Sequence, residues 1–503
     1  MKRPWRPAFL ASLVLGVVGC AQTNPRPSPG KLDGQARPAA YHPAVMDSFQ
    51  PVAMPLEPGS APPDLIGPQP LDTYIRRALA ENRTIQAAFH NVQSLKYRIP
   101  QVTALEDPVA ANTIFPIPSV APQYSLMGYN PYNLTLVQQF PWFGTRRLRG
   151  EVADRDVRVA VAELAAAQLD AVTAVRRAYF DLHSAEKTGE NLGATRKILE
   201  QFHAIAKSRL ALGGSQQDVI RAETLISELD RTLAGNQQEI AAARAALARQ
   251  IHVSPEADLR TLAELPFAAV PSEIDRLYQL ALAARPELRG RLEAVARDQK
   301  AVELARKRFY PNVTLGLTYM DMTKTDAVTP RTASGSPNVG LFVGFNLPIY
   351  QKKYQAGVCE AQERALADAK LYEAQRDETN SEIKDFFTQA RVQQDVLSLL
   401  RDGILPRARQ TLALAKTDYE NQNVDIATVL SAQRELLQVE VQVSQVEAEL
   451  GKAMASLERA VGGQINQRTL ESTPTEEGAE TSPSPPAASS PFRPTAPPAN
   501  PEQ

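Results

Sequence analysis

Two cysteines and five histidines are the side chains of this 503-residue chain best suited to nucleophilic or metal chemistry, and their spacing supports neither. His42, His90, His183, His203 and His252 are scattered, with no HExxH pair and no paired-cysteine spacing, so no metal site is expected. No Gly-rich loop followed by Lys is present to cradle a phosphate, and no cofactor or enzymatic activity is expected. The chemistry left is of two other kinds. One is ionic and aromatic: Arg209 precedes a Gly213-Gly214 turn that Asp218 follows, and Tyr419 precedes an Asn-rich turn that Asp425 follows. Asp218 and Asp425 each open a helix-like run, where a side-chain oxygen caps free amides. The other kind is aromatic and basic: Trp142, Phe143, Arg146, Arg147 and Arg149 in FPWFGTRRLR, answered by Lys352 and Lys353 in PIYQKK.

The elements that must position these groups are written twice. Ala78-Leu79-Ala80 returns as Ala281-Leu282-Ala283, 203 positions on, and Pro141 returns as Pro348, 207 on. Val219-Ile220-Arg221-Ala222 returns as Val429-Leu430-Ser431-Ala432, and Leu247-Ala248-Arg249 as Leu457-Glu458-Arg459, both 210 on. Each copy runs amphipathic helix, strand-like hairpin, very long helix, Gly- or Asn-rich turn, second long helix. The sequence therefore reads as two structural copies sharing one elongated architecture, at 71–265 and 266–463.

No proline falls between Pro141 and Pro255. Val157, Val161, Leu164, Val172, Val175, Tyr179 and Leu182 recur at gaps of three, four or a skipped turn, the seam of a coiled coil. About 60 residues at 1.5 Å each predict a helix on the order of 90 Å, within long helices over 147–250. The second copy, 353–460, matches it except at Gly403 and Pro406, which should kink or restart the helix. The growth of the offset from 207 to 210 is a three-residue stammer, expected to be absorbed there.

Strand-like segments are expected at Ala121–Met127 and Asn133–Phe140 in copy one, and at Val313–Met320 and Val339–Leu347 in copy two. Alternation such as Leu315, Leu317 and Tyr319 against Thr314, Gly316 and Thr318 suits a transmembrane strand and equally a half-buried soluble one. Four strands cannot close a membrane barrel, whose smallest form has about eight, and an open edge cannot face lipid. If these strands cross a membrane, several chains must pool them. Trp142 and Phe143 then sit at the interface, as aromatic belts do, with Arg146, Arg147, Lys352 and Lys353 beside lipid headgroups.

The termini differ from the middle. Lys2, Arg3 and Arg6 precede an apolar run from Ala8 to Val18, an export signal too short to span a bilayer. It ends Val17-Val18-Gly19-Cys20, which resembles the lipobox of bacterial lipoproteins; residues 1–19 would be removed and Cys20 lipidated. That leaves Cys359 without a partner for an intrachain disulfide. Of 39 prolines, 12 lie in 21–70 and 9 in 471–503, so 20–70 and 464–503 read as disordered. A net charge of −1 gives no electrostatic argument for nucleic acid.

Taken together, the duplicated layout, QQFPWFGTRR, GGSQQDVIRAE and YENQNVDIATVLSAQRELLQ resemble the TolC family of outer-membrane efflux proteins over about residues 71–463. The resemblance implies a mainly α fold with a small transmembrane β part. Three chains would form a 12-stranded outer-membrane β-barrel continued by a periplasmic α-helical coiled-coil tunnel. It implies a homotrimer that is the passive exit duct for a periplasmic adaptor and an inner-membrane pump, carrying drugs or metal cations. A duct for protein secretion and a lipid-anchored periplasmic coiled-coil scaffold remain as alternatives. In the family pattern, Tyr and Arg on the second hairpin, with two acids after them, hold the tunnel tip shut. This chain keeps Tyr419 but has Val424, Thr428 and Ser431 at the other positions. Arg209, Asp218 and Asp425, around the Gly213-Gly214 turn, are the expected substitutes.

Overall fold

The structure, a computed structural model, describes residues 67–114, 124–125, 128–264, 270–323 and 337–465, apart from positions 212, 214 and 422. The chain divides into two units after Pro51, and every described residue lies in the second. The expected signal segment, Cys20, Gly214 and nearly all of both tails lie outside the described residues, as do His42 and most of Ala121–Met127.

In chain order the elements are β1 (Gly67–Pro68), α1 (Leu71–Glu81), α2 (Arg83–Thr103), β2 (Val109–Ile114), β3 (Tyr124–Ser125), β4 (Gly128–Phe140), α3 (Thr145–Leu210) and α4 (Gln216–Gln250). The second copy follows with β5 (Leu259–Arg260), α5 (Ile274–Ala284), α6 (Pro286–Lys307), β6 (Val313–Thr323), β7 (Asn338–Phe345) and α7 (Gln351–Ser398). A π-helical turn (Leu399–Ile404) then leads into α8 (Leu405–Glu420) and α9 (Ile426–Val461).

Helix α3 runs 66 residues, about 100 Å. Gly144, at φ +82°, turns the chain off β4, and its carbonyl accepts the amide of Leu148 at 3.0 Å. Lys207 and Arg209 in the last turn suit the negative end of the helix dipole. Along its length the seam residues Val157, Val175, Tyr179 and Leu182 are buried, against α2, α4, α6 and α9. Copy two replaces this single helix with pieces of 48, 6 and 16 residues. Pro406 has no amide to donate, and the turn before it widens, with Leu405 N donating to Leu400 O, five residues back. The break therefore starts at Leu399, earlier than the Gly403–Pro406 segment the sequence pointed to.

Strands β2, β4, β6 and β7 form one antiparallel sheet in that order, with the short β3 paired to β4. Val313 stands opposite Phe140 on one side and Phe345 on the other, which aligns the helix-side ends of three strands. The first strand of copy one is Val109–Ile114, in register with β4 (Val109 opposite Val137), and not the Ala121–Met127 segment expected, of which Tyr124–Ser125 is described as strand. Register sorts the faces. Leu136, Leu317 and Leu341 stand directly opposite one another, as do Leu134, Tyr319 and Val339, and all six are exposed. Thr318 and Gly316 on the reverse face are buried, and the ring of Phe342 lies over Gly316 where a Cβ would otherwise sit.

Where the helices meet midway, polar groups tie elements within copy one and also join the copies. Tyr179, fully buried, donates to Gln69 O at 3.1 Å and accepts from Leu262 N at 3.0 Å. The stretch expected to be disordered as far as residue 70 is therefore ordered from Gly67, where β1 pairs in parallel with β5. On the copy-two side Arg459 bonds Asp170 at 2.6 Å and also Glu287, while Arg176 bonds Glu458. Ile465 packs onto the α5–α7–α9 cluster, so order extends just past 463.

Candidate functional site at the hairpin tips

The two turns, 211–215 and 421–425, each join a pair of long antiparallel helices. A hydrophobic cluster under them includes Phe202, Ala206, Leu412, Ala415, Ile426 and Val429. On it sit the ionic and aromatic groups. Arg209, from the last turn of α3, places its guanidinium carbon 4.0 Å from the ring centre of Tyr419 in the last turn of α8. The same group donates to Tyr419 O at 3.0 Å. Tyr419 is 3% exposed and its hydroxyl has no partner among the described residues. Burial pushes its phenol upward in pKa, the Arg209 charge opposes this, and Asp218 adds to it.

The carboxylates of Asp218 and Asp425 face each other. Burial first, then the charge of Asp425 and a hydrogen bond with it, raise the pKa of Asp218. Neither aspartate is the helix cap the sequence suggested. Ser215 caps α4, its hydroxyl accepting from Gln217 N at 3.2 Å. Asp425 occupies the cap position of α9 without a side-chain cap bond, and its carboxylate instead accepts from Arg221 at 2.9 Å. Farther up, Arg434 and Glu228 pair at 3.1 Å between α9 and α4. Contacts at several levels thus join the first hairpin to the second within one chain.

Of the expected tip residues, Arg209, Asp218, Tyr419 and Asp425 converge. Gly213, at φ +93° with open space around its Cβ position, forms the turn, and Gly214 lies outside the described residues. Arg221 was missed. The one signal for it was a break in the repeat, since its counterpart 210 positions on is Ser431. Val424 packs on the hydrophobic cluster, and Ser431 Oγ donates to Thr428 O at 2.8 Å.

The aromatic and basic residues gather at the other end of the long helices. Trp142 stacks on Tyr310, rings 5.2 Å apart and 11° from parallel, and its amide donates to Asn312 Oδ1 at 3.3 Å. Phe143 is 82% exposed. Arg146 donates to Thr103 O at 2.7 Å, and Arg147 lies 3.4 Å from Glu151. Lys353 reaches the Tyr354 ring at 5.9 Å, and Lys352 is exposed without an ion pair among the described residues.

The described histidines form no cluster. His183 is buried against Thr261 at 3.2 Å, and burial lowers its pKa; His203 pairs with Glu223 at 3.1 Å; His252 accepts from Arg83 N. Among the described residues no group of His, Cys, Asp or Glu is placed to hold a metal ion, and no helix is long and apolar enough to cross a membrane. Cys359 is free and exposed on α7, not the buried small hydrophobe a lone cysteine usually is.

Residues 277–463 match the family model for the outer membrane efflux protein. No curated protein sequence matches the chain. Among solved structures, the Vibrio cholerae outer membrane protein VceC is similar at 19% identity and TM-score 0.64, covering 78% of this chain and 96% of that one. CusC, described in work on transmembrane channel formation, is similar at 18% identity and TM-score 0.65, covering 86% and 99%. The Campylobacter jejuni CmeC outer membrane channel is similar at 16% identity and TM-score 0.64, covering 79% and 86%. At these identities the likeness is one of fold.

Proposed function

We propose that this chain, which matches the outer membrane efflux protein family in its second repeat and has the fold of outer-membrane channels, is the exit duct of a tripartite efflux system. Three copies pool their strands into one barrel, and their long helices continue it as a tunnel toward a periplasmic adaptor and an inner-membrane pump. The pump supplies energy and sets the substrate, of the drug or metal-cation class, and Cys20 carries a lipid anchor. The tip cluster of Arg209, Asp218, Tyr419, Asp425 and Arg221 holds the tunnel's inner end shut.

One observation carries this reading. The sheet bares an apolar face: Leu134, Leu136, Leu315, Leu317, Leu341 and Val343 are all exposed, while Gly316 and Thr318 at the centre of the reverse face are covered. A soluble sheet does the reverse. The edges agree, since among the described residues β2 and β7 each pair with a single neighbour. In lipid those unpaired amides demand closure by another copy. The 13 and 11 residues of β4 and β6 also suffice to cross a bilayer.

The test is to extract the full-length protein from outer membranes and run it in SDS with and without heating, then record in planar bilayers. A heat-labile trimer with discrete channels supports the duct. A folded monomer that yields no channel overturns it in favour of the coiled-coil scaffold.

A further inference from the structure

Where strands hand over to helices, charge runs against the helix dipole. Helices α1, α4, α5 and α6 each carry an acid in the first turn (Asp72, Asp218, Asp275, Glu287), as the positive N-terminal end favours. Helices α2, α8 and α9 carry none there, and neither do the two helices that leave the sheet, α3 and α7, which begin instead with paired cations, Arg146 and Arg147 and Lys352 and Lys353. The α6 end adds Arg306, Lys307 and Arg308, and Lys307 Nζ comes within 3.9 Å of the Cβ position of Gly144, the residue that starts α3. Four of these cations thus stand on two helix ends that repel them, beside three at the C-terminal end of α6, which favours them. Arg149, Arg308 and Lys352 have no ion pair among the described residues.

This rim adjoins an exposed apolar band. Phe143, Leu347, Ile349 and Tyr350 are exposed beside the cations, and the exposed Phe345 and Val343 at the end of β7 carry the apolar surface on into the sheet. We propose, on the strength of the barrel reading above, that this rim is a docking surface for the phosphate headgroups of anionic phospholipid in the leaflet facing the helices. Charge complementarity selects the occupant. A phosphate layer at this height relieves both the mutual repulsion of the cations and their conflict with the α3 and α7 dipoles, while the aromatic and aliphatic side chains enter the acyl boundary. A neighbouring copy of this chain would present the same cations. A protein partner would leave the continuous apolar band beside the rim unexplained.

The chain has two tryptophans, Trp142 in the rim and Trp5 in the proposed signal segment, so with Trp5→Phe to silence any unprocessed chain the trimer's emission reports on Trp142. It is reconstituted in phosphatidylcholine vesicles doped with either brominated phosphatidylglycerol or brominated phosphatidylcholine, and Trp142 emission is read. Brominated phosphatidylglycerol should quench with a preference of about fivefold or more, the scale of one basic residue near an anionic surface, and high salt should erase the preference. The combined variant Arg149→Gln, Arg308→Gln, Lys352→Gln and Lys353→Gln should keep its heat-labile trimer and its quenching by brominated phosphatidylcholine but lose the preference. Equal quenching by both lipids in the unaltered rim overturns the headgroup site and leaves the barrel standing. No quenching by either lipid overturns site and barrel together.

Discussion

The guanidinium of Arg209 lies over the ring of Tyr419 at 4.0 Å and bonds that residue's own carbonyl at 3.0 Å, joining the last turns of two helices that end 210 positions apart. Arg209 thereby holds hairpin to hairpin by both a side chain and a backbone group. Loss of either aromatic or cation releases the same contact. Tyr419→Ala and Arg209→Ala should each raise the fraction of time the channel is open, with the double variant little beyond the stronger single one. A cation–π contact of this burial contributes roughly 0.5–2 kcal/mol, so the shift in the closed-to-open ratio should be a few-fold to about thirtyfold. Fully additive single-channel effects would show that the two residues act apart.

Arg221 and Asp425 make the second link, but both side chains are about half exposed, at 40% and 53%. Exposed pairs contribute about 0.2–1 kcal/mol and are screened by salt. Arg221→Ala should therefore increase opening at most about fivefold, an effect that fades in high salt. A salt-independent change would place the residue's role elsewhere.

Acidity should act through Asp218. Burial and the facing Asp425 carboxylate raise its pKa above the ordinary value of 3.8 when the tip is closed, so the closed tip holds the proton more tightly than a frayed one. A raised folded-state pKa gives stability that is full below the ordinary value and lost as pH rises through the raised one. Amide hydrogen exchange in the two turns, corrected for intrinsic rates, should accelerate as pH climbs through that window. Asp218→Asn should flatten the dependence. Protection that instead grows with pH in the wild type would sink this assignment.

Packing sets the tolerance of glycines in the long helices. A Cβ on Gly451 would sit 2.6 Å from the Phe180 ring, between α9 and α3, whereas Gly193 on α3 has open space. Gly451→Leu should destabilise by about 1–3 kcal/mol through overpacking. Gly193→Ala should be neutral or stabilise by up to about 1 kcal/mol through helix propensity. Thermal melts of the solubilised protein separate them, and equal melting points would contradict the α3–α9 contact.

Tyr179→Phe tests the midpoint. It leaves the Leu262 amide and the Gln69 carbonyl without the hydroxyl that now satisfies both. The cost should be about 1–3 kcal/mol, visible as a lower melting temperature and faster exchange of the Leu262 amide. An unchanged Leu262 amide would mean that water replaces the hydroxyl.

The sequence by itself determined the repeat, the two long helices and their turns, because these rest on local rules. A proline-free stretch with a three-and-four seam propagates a helix whatever it packs against, so α3 was legible within two residues at its start and one at its end. Arg209, Asp218, Tyr419 and Asp425 were legible as candidates because turn-flanking positions follow from those helices. Tertiary structure decided what these residues bond. Asp425 looked like a cap from its neighbours in sequence, and only the placement of α4 beside α9 gave it Arg221, 204 positions away. Strand β2 escaped for a related reason. VAANTI mixes strand formers (Val, Thr, Ile) with Ala and Asn, which strands disfavour, and pairing with β4 makes it a strand. The outward turn of the apolar face was likewise beyond sequence, since alternation says that a strand has two faces but not which one the rest of the chain covers.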